Sequence, residues 1–568
     1  MTKLLWGLVM LMAMASCSVN KPFSPSKKFS PKELEEDYTI FRSTLEESHP
    51  SLYWYTPKDS MDYYFEVGKS KLADSLTESG FRYVLAYVIS KMRCGHTSVR
   101  ASKAAVNYSG PQGLSFPLFV KAWLDTVMVT ANLNRKDSNV TRGVILKSID
   151  GKPINAIVDS MFSFLSADGY NTTHKYQTIS NGGTFRTLYA VIFGLKQKTP
   201  VEFIDTAGRL RTATLNLYNP KADTPRTVRT APTLSKKERK RLELESMRSL
   251  RIDTSLNTAF MEVNTFTKGN SLRSFFRKSF KEIKKKKIPN LVVDVRGNGG
   301  GSVVLSNLLT KYIADKPFAI ADSLYALRRT SEYGKYRNGR FFNWLFLQFL
   351  TRKRKDGAYH FGLYEGKKFK PKGGNHFEGT TYIVTGGNTF SAATLFAKTL
   401  KDQDDVIVVG EETGGGAYGN SAWLIPDVTL PNTGVRFRLP LFRLVIDKNE
   451  QKGFGVQPEI PALPTVEAIR RSEDYKMEKV KELIRSKEII CTNAKVIWAG
   501  NPQADGLGWV LQTDRVKGSV ITDNLPESFK AEGLLVKVCI QKTTARFSCE
   551  CSPAPFVYHI TSIEKITD

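Results

Sequence analysis

The feature that most constrains this chain is a strand–glycine turn–helix pattern that occurs twice. The first copy, LVVDVRGNGGGSVVLSNLL, turns at 294–301, and the second, TYIVTGGNTFSAATLFAKTL, places Ser391 where strand gives way to helix. A third strand, 406–410, leads into a further glycine-rich turn at 414–416. Strands that alternate with helices predict a mainly parallel sheet with covered faces, so we expect all three turns to meet at one edge.

The first glycine-rich turn can offer backbone N–H groups to a ligand, but it lacks the sequence of a nucleotide site. No Lys-Ser or Lys-Thr pair follows residues 297–301 at P-loop spacing, and Ser302 stands where a dinucleotide fingerprint requires its third glycine. The sequence therefore predicts a close backbone approach to a ligand and no phosphate cradle.

Ser391 is compatible with two roles. A serine directly before Ala392 is an ordinary helix N-cap, and the G-x-S-x-G pattern of α/β-hydrolases is absent. The same position suits a nucleophile, because amides at a helix start can stabilise an oxyanion. A nucleophilic serine needs a base, and His96 is the best candidate of six histidines, since its compact Cys-Gly-His-Thr turn follows a predicted helix.

Four motifs, taken in order, resemble those of the tricorn and C-terminal processing serine peptidases. They are CGHT at 94–97, DVRGNGGG at 294–301, NTFSAATLFAKTLKD at 388–402 and VVGEETGGG at 408–416. Two closing segments also fit, LPNTGVRFRLP at 430–440 and GVQPEIP at 455–461. Each motif is weak alone, but their order and spacing over residues 30–465 indicate membership of that family and imply a serine endopeptidase.

The resemblance implies a role for each matching residue. Ser391 matches the nucleophile, and His96 matches the histidine base of the tricorn-like branch. The lysine base of the other branch is missing, because glycines occupy its position at 414–416. The matching oxyanion donors are the backbone N–H groups of Ala392 and of Gly299 or Gly300.

The groups that orient the histidine depart from the family pattern. Gly95 stands where the tricorn-like site has a serine, and the position of the orienting glutamate falls near Lys452, with Glu450 close by as the candidate. An unoriented imidazole is a weaker base. A second interpretation therefore stays open: a catalytically weak or inactive peptide-binding protein on the same scaffold.

The chain is predicted to be a multidomain α/β protein. The expected units are a lipoprotein signal peptide (1–17), a tether (18–30), a helical N-terminal domain (31–114), a PDZ-like β-rich module (115–220), a charged linker (221–254), the peptidase core with its mainly parallel sheet (255–465), a helical linker (466–489) and a small β domain (490–568). The run GVILKSIDGKP at 143–153 is similar to a segment of PDZ-type domains, and the last unit is faintly OB-like.

The N-terminus has the features of a bacterial lipoprotein signal. Lys3 precedes an apolar run at 4–14 that is too short to span a bilayer, and MASC at 14–17 resembles a lipoprotein cleavage box. We expect lipidation of Cys17 and a lipid-anchored protein of the bacterial cell envelope, periplasmic or surface-exposed. A plain secretory signal with an incidental Cys17 is the alternative.

Four cysteines lie near the C-terminus: Cys491, Cys539, Cys549 and Cys551. An exported context permits disulfides, for which three pairings are open, and free thiols are a further possibility. A zinc site is disfavoured because no C-x-x-C pair occurs, and the sequence predicts neither metal nor cofactor.

The formal net charge of +28 includes basic clusters at 236–241, 284–287 and 352–355. Such a charge suits a polyanion-binding surface, but solvated helix faces and loop tips explain it more simply. No nucleic-acid motif accompanies the charge, so we expect a peptide or protein substrate and no nucleic acid. The aromatic run at 341–350 fits a lid over the site, an interfacial helix touching lipid or a buried core helix.

Overall fold

The computed structural model describes residues 23–566 apart from 111–112, 136, 138, 222–233, 488, 502–505, 517 and 548–554. The expectations for Cys17, Cys549 and Cys551 concern residues outside this range. No described helix combines the length and apolar character needed to cross a membrane.

The N-terminal part is built mainly of helices. Ser30 caps the first helix by accepting a hydrogen bond from the Glu33 N–H, and Pro31 occupies the first helical turn. The elements are β1 (Lys28–Phe29), α1 (Pro31–Ser48), α2 (Lys58–Ser70), β2 (Leu76–Thr77), α3 (Glu78–Lys91), β3 (Val99–Arg100) and α4 (Lys103–Val106). Their apolar faces share one core with the large sheet, as in the edge-on contact of Phe41 with Phe437, so this part is fixed against the sheet.

Residues 115–218 form an antiparallel sheet with three helices and a core of their own. The elements are β4 (Leu118–Trp123), β5 (Thr126–Asn132), β6 (Ile145–Ile149), β7 (Lys152–Pro153), α5 (Ile154–Phe162), α6 (Thr173–Ser180), α7 (Thr184–Phe193), β8 (Lys198–Ile204) and β9 (Leu210–Asn216). The strand order is β4-β5-β6-β8-β9, with β7 paired to β6. The PDZ-like assignment stays a prediction; the α5–α6 loop reaches the site described below.

The central part carries the predicted mainly parallel sheet. Its elements are α8 (Lys236–Met247), β10 (Arg248–Asp253), β11 (Thr258–Val263), α9 (Leu272–Lys285), β12 (Asn290–Asp294), α10 (Val303–Ile313), β13 (Ser323–Ala326), α11 (Arg340–Leu350), β14 (Arg352–Lys353), β15 (Tyr359–His360), β16 (Thr380–Thr385), α12 (Ala392–Lys401), β17 (Val406–Gly410), β18 (Gly419–Asn420), β19 (Asp427–Thr429), β20 (Arg436–Arg438), β21 (Arg443–Val445) and β22 (Ile460–Pro461). The sheet order is β10-β11-β12-β16-β17-β22, and every pair from β11 onward is parallel. The turns after β12, β16 and β17 therefore share one edge.

Two smaller sheets tie distant segments to this edge. One has the order β14-β15-β13-β21-β18, and the other has the order β19-β20-β3. In the second sheet Val99 pairs with Phe437, and the Arg438 N–H donates to the Ser98 carbonyl oxygen at 2.9 Å. The segment that follows His96 is therefore hydrogen-bonded to the central part of the chain.

The C-terminal part is a closed barrel preceded by two helices. The elements are α13 (Val466–Arg471), α14 (Tyr475–Lys487), β23 (Ile489–Trp498), β24 (Trp509–Thr513), β25 (Val520–Thr522), β26 (Leu535–Arg546) and β27 (Phe556–Lys565). The barrel order is β23-β24-β25-β27-β26, with β25 and β27 parallel, and five strands is the number in an OB-fold. A disulfide between Cys491 and Cys539 joins the paired strands β23 and β26.

Candidate active site

Ser391 immediately precedes α12 and has an unusual backbone conformation. Its φ of +56° and ψ of −122° lie in a region that favours glycine and is strained for other residues. Its side chain makes no capping hydrogen bond to α12, so the hydroxyl does not serve the N-cap role that the sequence left open. Strained residues of this kind cluster at active sites.

The first glycine-rich turn closes directly against Ser391. Gly300 has a φ of +97°, and a Cβ atom there would lie 2.7 Å from the Ser391 Cβ and 2.8 Å from the Phe390 carbonyl oxygen. The Gly300 N–H donates to Asn298 Oδ1 at 2.9 Å, and Asn298 Nδ2 donates to the Val263 carbonyl oxygen at 2.9 Å. Glycine is therefore required by close packing, and the buried Asn298 fixes the shape of the turn.

Two of the predicted oxyanion donors keep a free N–H group. In the described part of the chain, neither Ala392 nor Gly299 donates a backbone hydrogen bond. A Cβ atom at Gly299 would meet nothing within 4 Å, so this amide borders open space. The Gly300 N–H is occupied by Asn298, which leaves Gly299 as the glycine able to serve together with Ala392.

His96 is almost completely buried, with 4% of its surface exposed. Neither ring nitrogen has a hydrogen-bond partner in the described structure, a costly state for a buried polar group. The turn that carries it is firmly held, because the Thr97 hydroxyl lies 2.8 Å from His49 Nε2. Burial, together with the nearby Arg443, lowers the pKa of His49 to about 3, so that histidine is neutral and structural.

Asp168, in the α5–α6 loop, faces this histidine. Its Oδ1 lies 3.8 Å from His96 Nδ1, and the residue is 2% exposed. The carboxylate also accepts hydrogen bonds from the backbone N–H groups of Gly95 at 2.8 Å and Gly416 at 3.3 Å. Asp168 thus links the histidine turn to the third glycine-rich turn and is placed to orient the imidazole. No sequence motif marked it.

Glu450, the orienting group expected from the sequence, binds elsewhere. Its Oε1 lies 3.2 Å from Lys398 Nζ, which also pairs with Asp447 at 3.1 Å. A buried ammonium group needs carboxylate partners, and Glu450 forms an ion pair with Lys398 in this role. No hydrogen bond or ion pair joins Glu450 to His96 in the described residues. Lys452 donates to the Trp54 carbonyl oxygen at 2.8 Å.

Phe390 separates two histidines. Its ring centroid lies 4.6 Å from that of His96 and 4.9 Å from that of His174. His174 Nδ1 lies 2.7 Å from the Gly387 carbonyl oxygen, and burial lowers the pKa of His174, which keeps the ring neutral at neutral pH. The described structure contains no hydrogen bond between the Ser391 hydroxyl and either ring. His174 is one of the six histidines weighed as a base, and it was not selected because it lies in no recognisable motif.

The third glycine-rich turn packs against the backbone of Ser391 and supplies no lysine. A Cβ atom at Gly415 would lie 3.1 Å from the Ser391 nitrogen. The nearby buried Lys476 comes from α14, and its Nζ lies 2.5 Å from Glu411 and donates to the Thr385 carbonyl oxygen at 2.8 Å. This lysine braces the sheet edge, and no contact with Ser391 is found among the described residues.

The turn before His96 also contains a free thiol. Cys94 is buried, and burial together with the neighbouring Asp168 raises the pKa of its thiol to about 11. The thiol is therefore protonated and inert at neutral pH. In the described residues no cluster of three or more His, Cys, Asp or Glu side chains could hold a metal ion.

Ser391 borders a cavity of 590 Å³. Most of its lining is apolar, and the larger apolar side chains are Val303, Val304, Phe346, Phe361, Leu395, Trp423, Leu424, Ile425 and Leu444. Lys268 and Arg438 are the charged groups at its wall. The cavity can receive an apolar side chain next to the serine.

Comparisons with known proteins identify a peptidase family and proteins of similar fold. Residues 257–462, which include all three glycine-rich turns and Ser391, match the model of peptidase family S41. Mature CPAF has a TM-score of 0.54 at 15% identity over 80% of this chain and 97% of its own. Mature CPAF complexed with lactacystin has a TM-score of 0.54 at 17% identity over 80% and 98%.

A putative peptidase from Parabacteroides merdae ATCC 43184 matches with a TM-score of 0.40 at 13% identity, over 80% of this chain and 97% of its own. At these identities, the likeness to CPAF shows a shared fold alone. No curated protein sequence matches the chain.

Proposed function

Since the chain belongs to peptidase family S41 through residues 257–462 and is a serine peptidase, we propose that it cleaves peptide bonds through Ser391 and His96, with Asp168 orienting the histidine. The state of His96 carries this proposal. Its two buried nitrogens lack hydrogen-bond partners in the described structure, although a carboxylate lies 3.8 Å away and the ring centroid of Phe390, the residue before Ser391, lies 4.6 Å from its own. Such an unpaired polar group is explained by a role in proton transfer.

In the proposed acylation step, Ser391 Oγ attacks the carbonyl carbon while His96 Nε2 accepts its proton. The Asp168 carboxylate stabilises the imidazolium at Nδ1. The tetrahedral oxyanion accepts hydrogen bonds from the N–H groups of Ala392 and Gly299, where the positive end of the α12 dipole adds to the attraction. His96 then gives its proton to the leaving amine, and water hydrolyses the acyl-enzyme by the same route.

The free site must rearrange before this step. No Ser391–His96 hydrogen bond is present in the described structure, and the Phe390 ring covers one face of the imidazole. Catalytic hydrogen bonds often tighten only once substrate is bound. We therefore assign the closing of the Ser391–His96 pair to the bound state, in which the substrate carbonyl occupies the space beside Gly299.

The cavity next to Ser391 supports a preference for an apolar residue on the acyl side of the cleaved bond. Exported or unstructured proteins are the proposed substrates, because a chain must be extended to enter a site between three turns. The predicted lipidation at Cys17 would hold the enzyme in the cell envelope. Incorporation of labelled fatty acid that persists in Cys17→Ser would contradict this location of the anchor.

A panel of unstructured peptides tests the proposal. The peptides differ only at one residue, which is leucine, phenylalanine, glutamate or lysine. We expect cleavage after the apolar residues with kcat/KM at least about tenfold higher than after the charged ones. Equal cleavage of all four would contradict the role of the cavity. Retained peptide binding without any cleavage would favour the binding-protein interpretation.

A further inference from the structure

Helix α11 turns an apolar face outward. Phe342 and Phe349 are each 75% exposed and Phe341 is 61% exposed. Between Arg340 and Thr351 the helix contains no charged residue. A surface helix of a globular protein normally presents polar side chains to solvent, so this face is fitted to a surface other than water.

The inner face of α11 is already packed. Leu347 is buried, and the Phe346 ring centroid lies 5.1 Å from that of Phe361 and 6.0 Å from that of Phe442. The helix is therefore a fixed part of the fold, and the exposed phenylalanines are not the side by which it joins the core. The same Phe346 lines the cavity beside Ser391.

Positive charge borders the exposed face at both ends. After the helix, four consecutive basic residues are exposed: Arg352, Lys353, Arg354 and Lys355. Of these, Arg354 is paired with Glu365. Before the helix, a cavity of 530 Å³ has four basic side chains in its wall and one acidic one, Glu332. The basic residues are Arg329, Lys335, Arg337 and Arg340.

One of these arginines keeps a buried donor without an acceptor. Arg337 pairs with Glu47 at 3.6 Å through Nη2, yet its Nε is buried with no hydrogen-bond partner in the described structure. The excess of positive charge in this cavity suits a phosphate group, which binds arginine through charge-assisted hydrogen bonds. Phosphate groups and apolar chains occur side by side at the surface of a lipid bilayer.

The start of the described chain lies on the same side of the molecule. Phe23 lines a cavity of 710 Å³ together with Lys335 and Asn338, which lie in the segment shortly before α11. The predicted lipid anchor, Cys17, is six residues before Phe23. Six residues reach about 20 Å at most, so an anchored chain would hold α11 close to the bilayer.

We propose that α11 is a membrane-docking helix that lies in the surface of an anionic bilayer. Phe341, Phe342 and Phe349 enter the boundary of the acyl chains, and the flanking basic residues bind lipid phosphate groups. With 11 residues the helix is far too short to span a bilayer and lies in its plane. A second copy of the chain fits this face poorly, because a symmetric contact would bring the basic clusters of two molecules of net charge +28 together.

The proposal is tested by measuring how the protein binds lipid vesicles. The protein used begins at residue 18, so it keeps every described residue and lacks the predicted acyl anchor. The probes are vesicles of phosphatidylcholine alone and of phosphatidylcholine mixed with phosphatidylglycerol. We expect the chain to sediment with the mixed vesicles. The double variant Phe342→Ser/Phe349→Ser should bind at least about tenfold more weakly, because two large apolar side chains no longer leave water.

A matched control changes two comparably exposed apolar residues away from α11, Tyr63→Ser and Leu210→Ser, and should leave vesicle binding unchanged. The variant Arg352→Gln/Lys353→Gln should bind mixed vesicles more weakly and with a smaller dependence on salt. Equal melting temperatures of all variants would show that each is folded.

Three results would overturn the proposal. They are the failure of the chain to bind mixed vesicles, undiminished binding by Phe342→Ser/Phe349→Ser, and a dimer that this variant dissociates while no vesicle binding is detected. The outcome does not depend on peptidase activity, so it is separable from the function proposed above.

Discussion

The two strand–turn–helix units share a sequence pattern but differ in the backbone conformation of the serine that precedes each helix. Ser302, before α10, has an ordinary φ of −77°, and its N–H donates to the Phe266 carbonyl oxygen at 2.9 Å. Ser391, before α12, has a φ of +56°. In the first unit Gly300 and Gly301 take the positive φ angles. In the second unit the serine takes the positive φ angle itself, so the strain falls on the residue proposed as the nucleophile.

Replacing each of the two serines with alanine, one at a time, should give the largest difference between the two units. Ser391→Ala should reduce kcat/KM for peptide hydrolysis by roughly 10⁵- to 10⁶-fold, because the nucleophile is lost. Ser302→Ala is the matched control and should change kcat/KM by no more than about twofold, since its side chain makes no cap hydrogen bond. Undiminished turnover by Ser391→Ala would remove the serine from the mechanism.

The two histidines beside Phe390 give the second test. His96→Ala should lower kcat by roughly 10⁵-fold, because the group that accepts the Ser391 proton is removed. His174→Ala should cost far less, since Nδ1 of that ring is engaged by the Gly387 carbonyl oxygen. Steady-state kinetics on one peptide compares them. A larger loss in His174→Ala than in His96→Ala would reverse the assignment of the base.

Asp168→Asn probes the orienting group that the sequence did not reveal. The amide oxygen of asparagine can keep the hydrogen bond from Gly95, but its NH2 group cannot accept the one from Gly416, and a neutral amide does not stabilise an imidazolium ion. We expect kcat to fall about 10⁴-fold with little change in KM, and the melting temperature to fall slightly through the lost Gly416 hydrogen bond. Glu450→Gln is the control and should retain activity, because that carboxylate pairs with Lys398. The reverse ranking of these two variants would restore Glu450 as the orienting residue.

The fold and part of the site follow from local sequence. Alternating strands and helices predicted the mainly parallel sheet, and Ser391 was predicted at a strand–helix junction because both flanking elements are strongly patterned. Asp168 could not be found in this way. It lies 73 residues from Gly95 and 248 from Gly416, and only long-range packing brings the three together.

Two further features of the site could not be predicted from the sequence. The resemblance to the tricorn-like site suggested Glu450, but the sequence does not show that a buried lysine pairs with that carboxylate. Likewise, the sequence does not indicate the positive φ of Ser391. The glycines that precede it in the turn adopt a positive φ more readily than serine, so the conformation would be expected there.

Stability measurements sharpen the contrast between the two units. Gly300→Ala should lower the free energy of unfolding by about 2–4 kcal/mol, because its Cβ would overlap Ser391 and its φ is positive. Gly299→Ala meets open space at a φ that is not positive, and it should cost less than about 1 kcal/mol. Urea unfolding compares the two variants. Equal losses would show that the close approach to Ser391 is not what requires glycine.

The smallest expected effect is the change in the free energy of unfolding when the backbone strain at Ser391 is relieved. Ser391→Gly should raise the free energy of unfolding by about 1 kcal/mol, because glycine adopts the positive φ without strain. Ser302→Gly, at an ordinary φ, should lower it by a similar amount through the greater flexibility of the unfolded chain. A destabilised Ser391→Gly would mean that the serine is not strained in the folded protein.

The central claim is that Ser391 alone, of the two serines, is a nucleophile. A fluorophosphonate probe reacts with activated serines, and mass spectrometry of the digested adduct locates the modified residue. We predict a single adduct on Ser391, slowed strongly in His96→Ala and Asp168→Asn and unaffected in Ser302→Ala. An adduct on another residue, or no adduct in a protein that still binds peptide, would contradict the account.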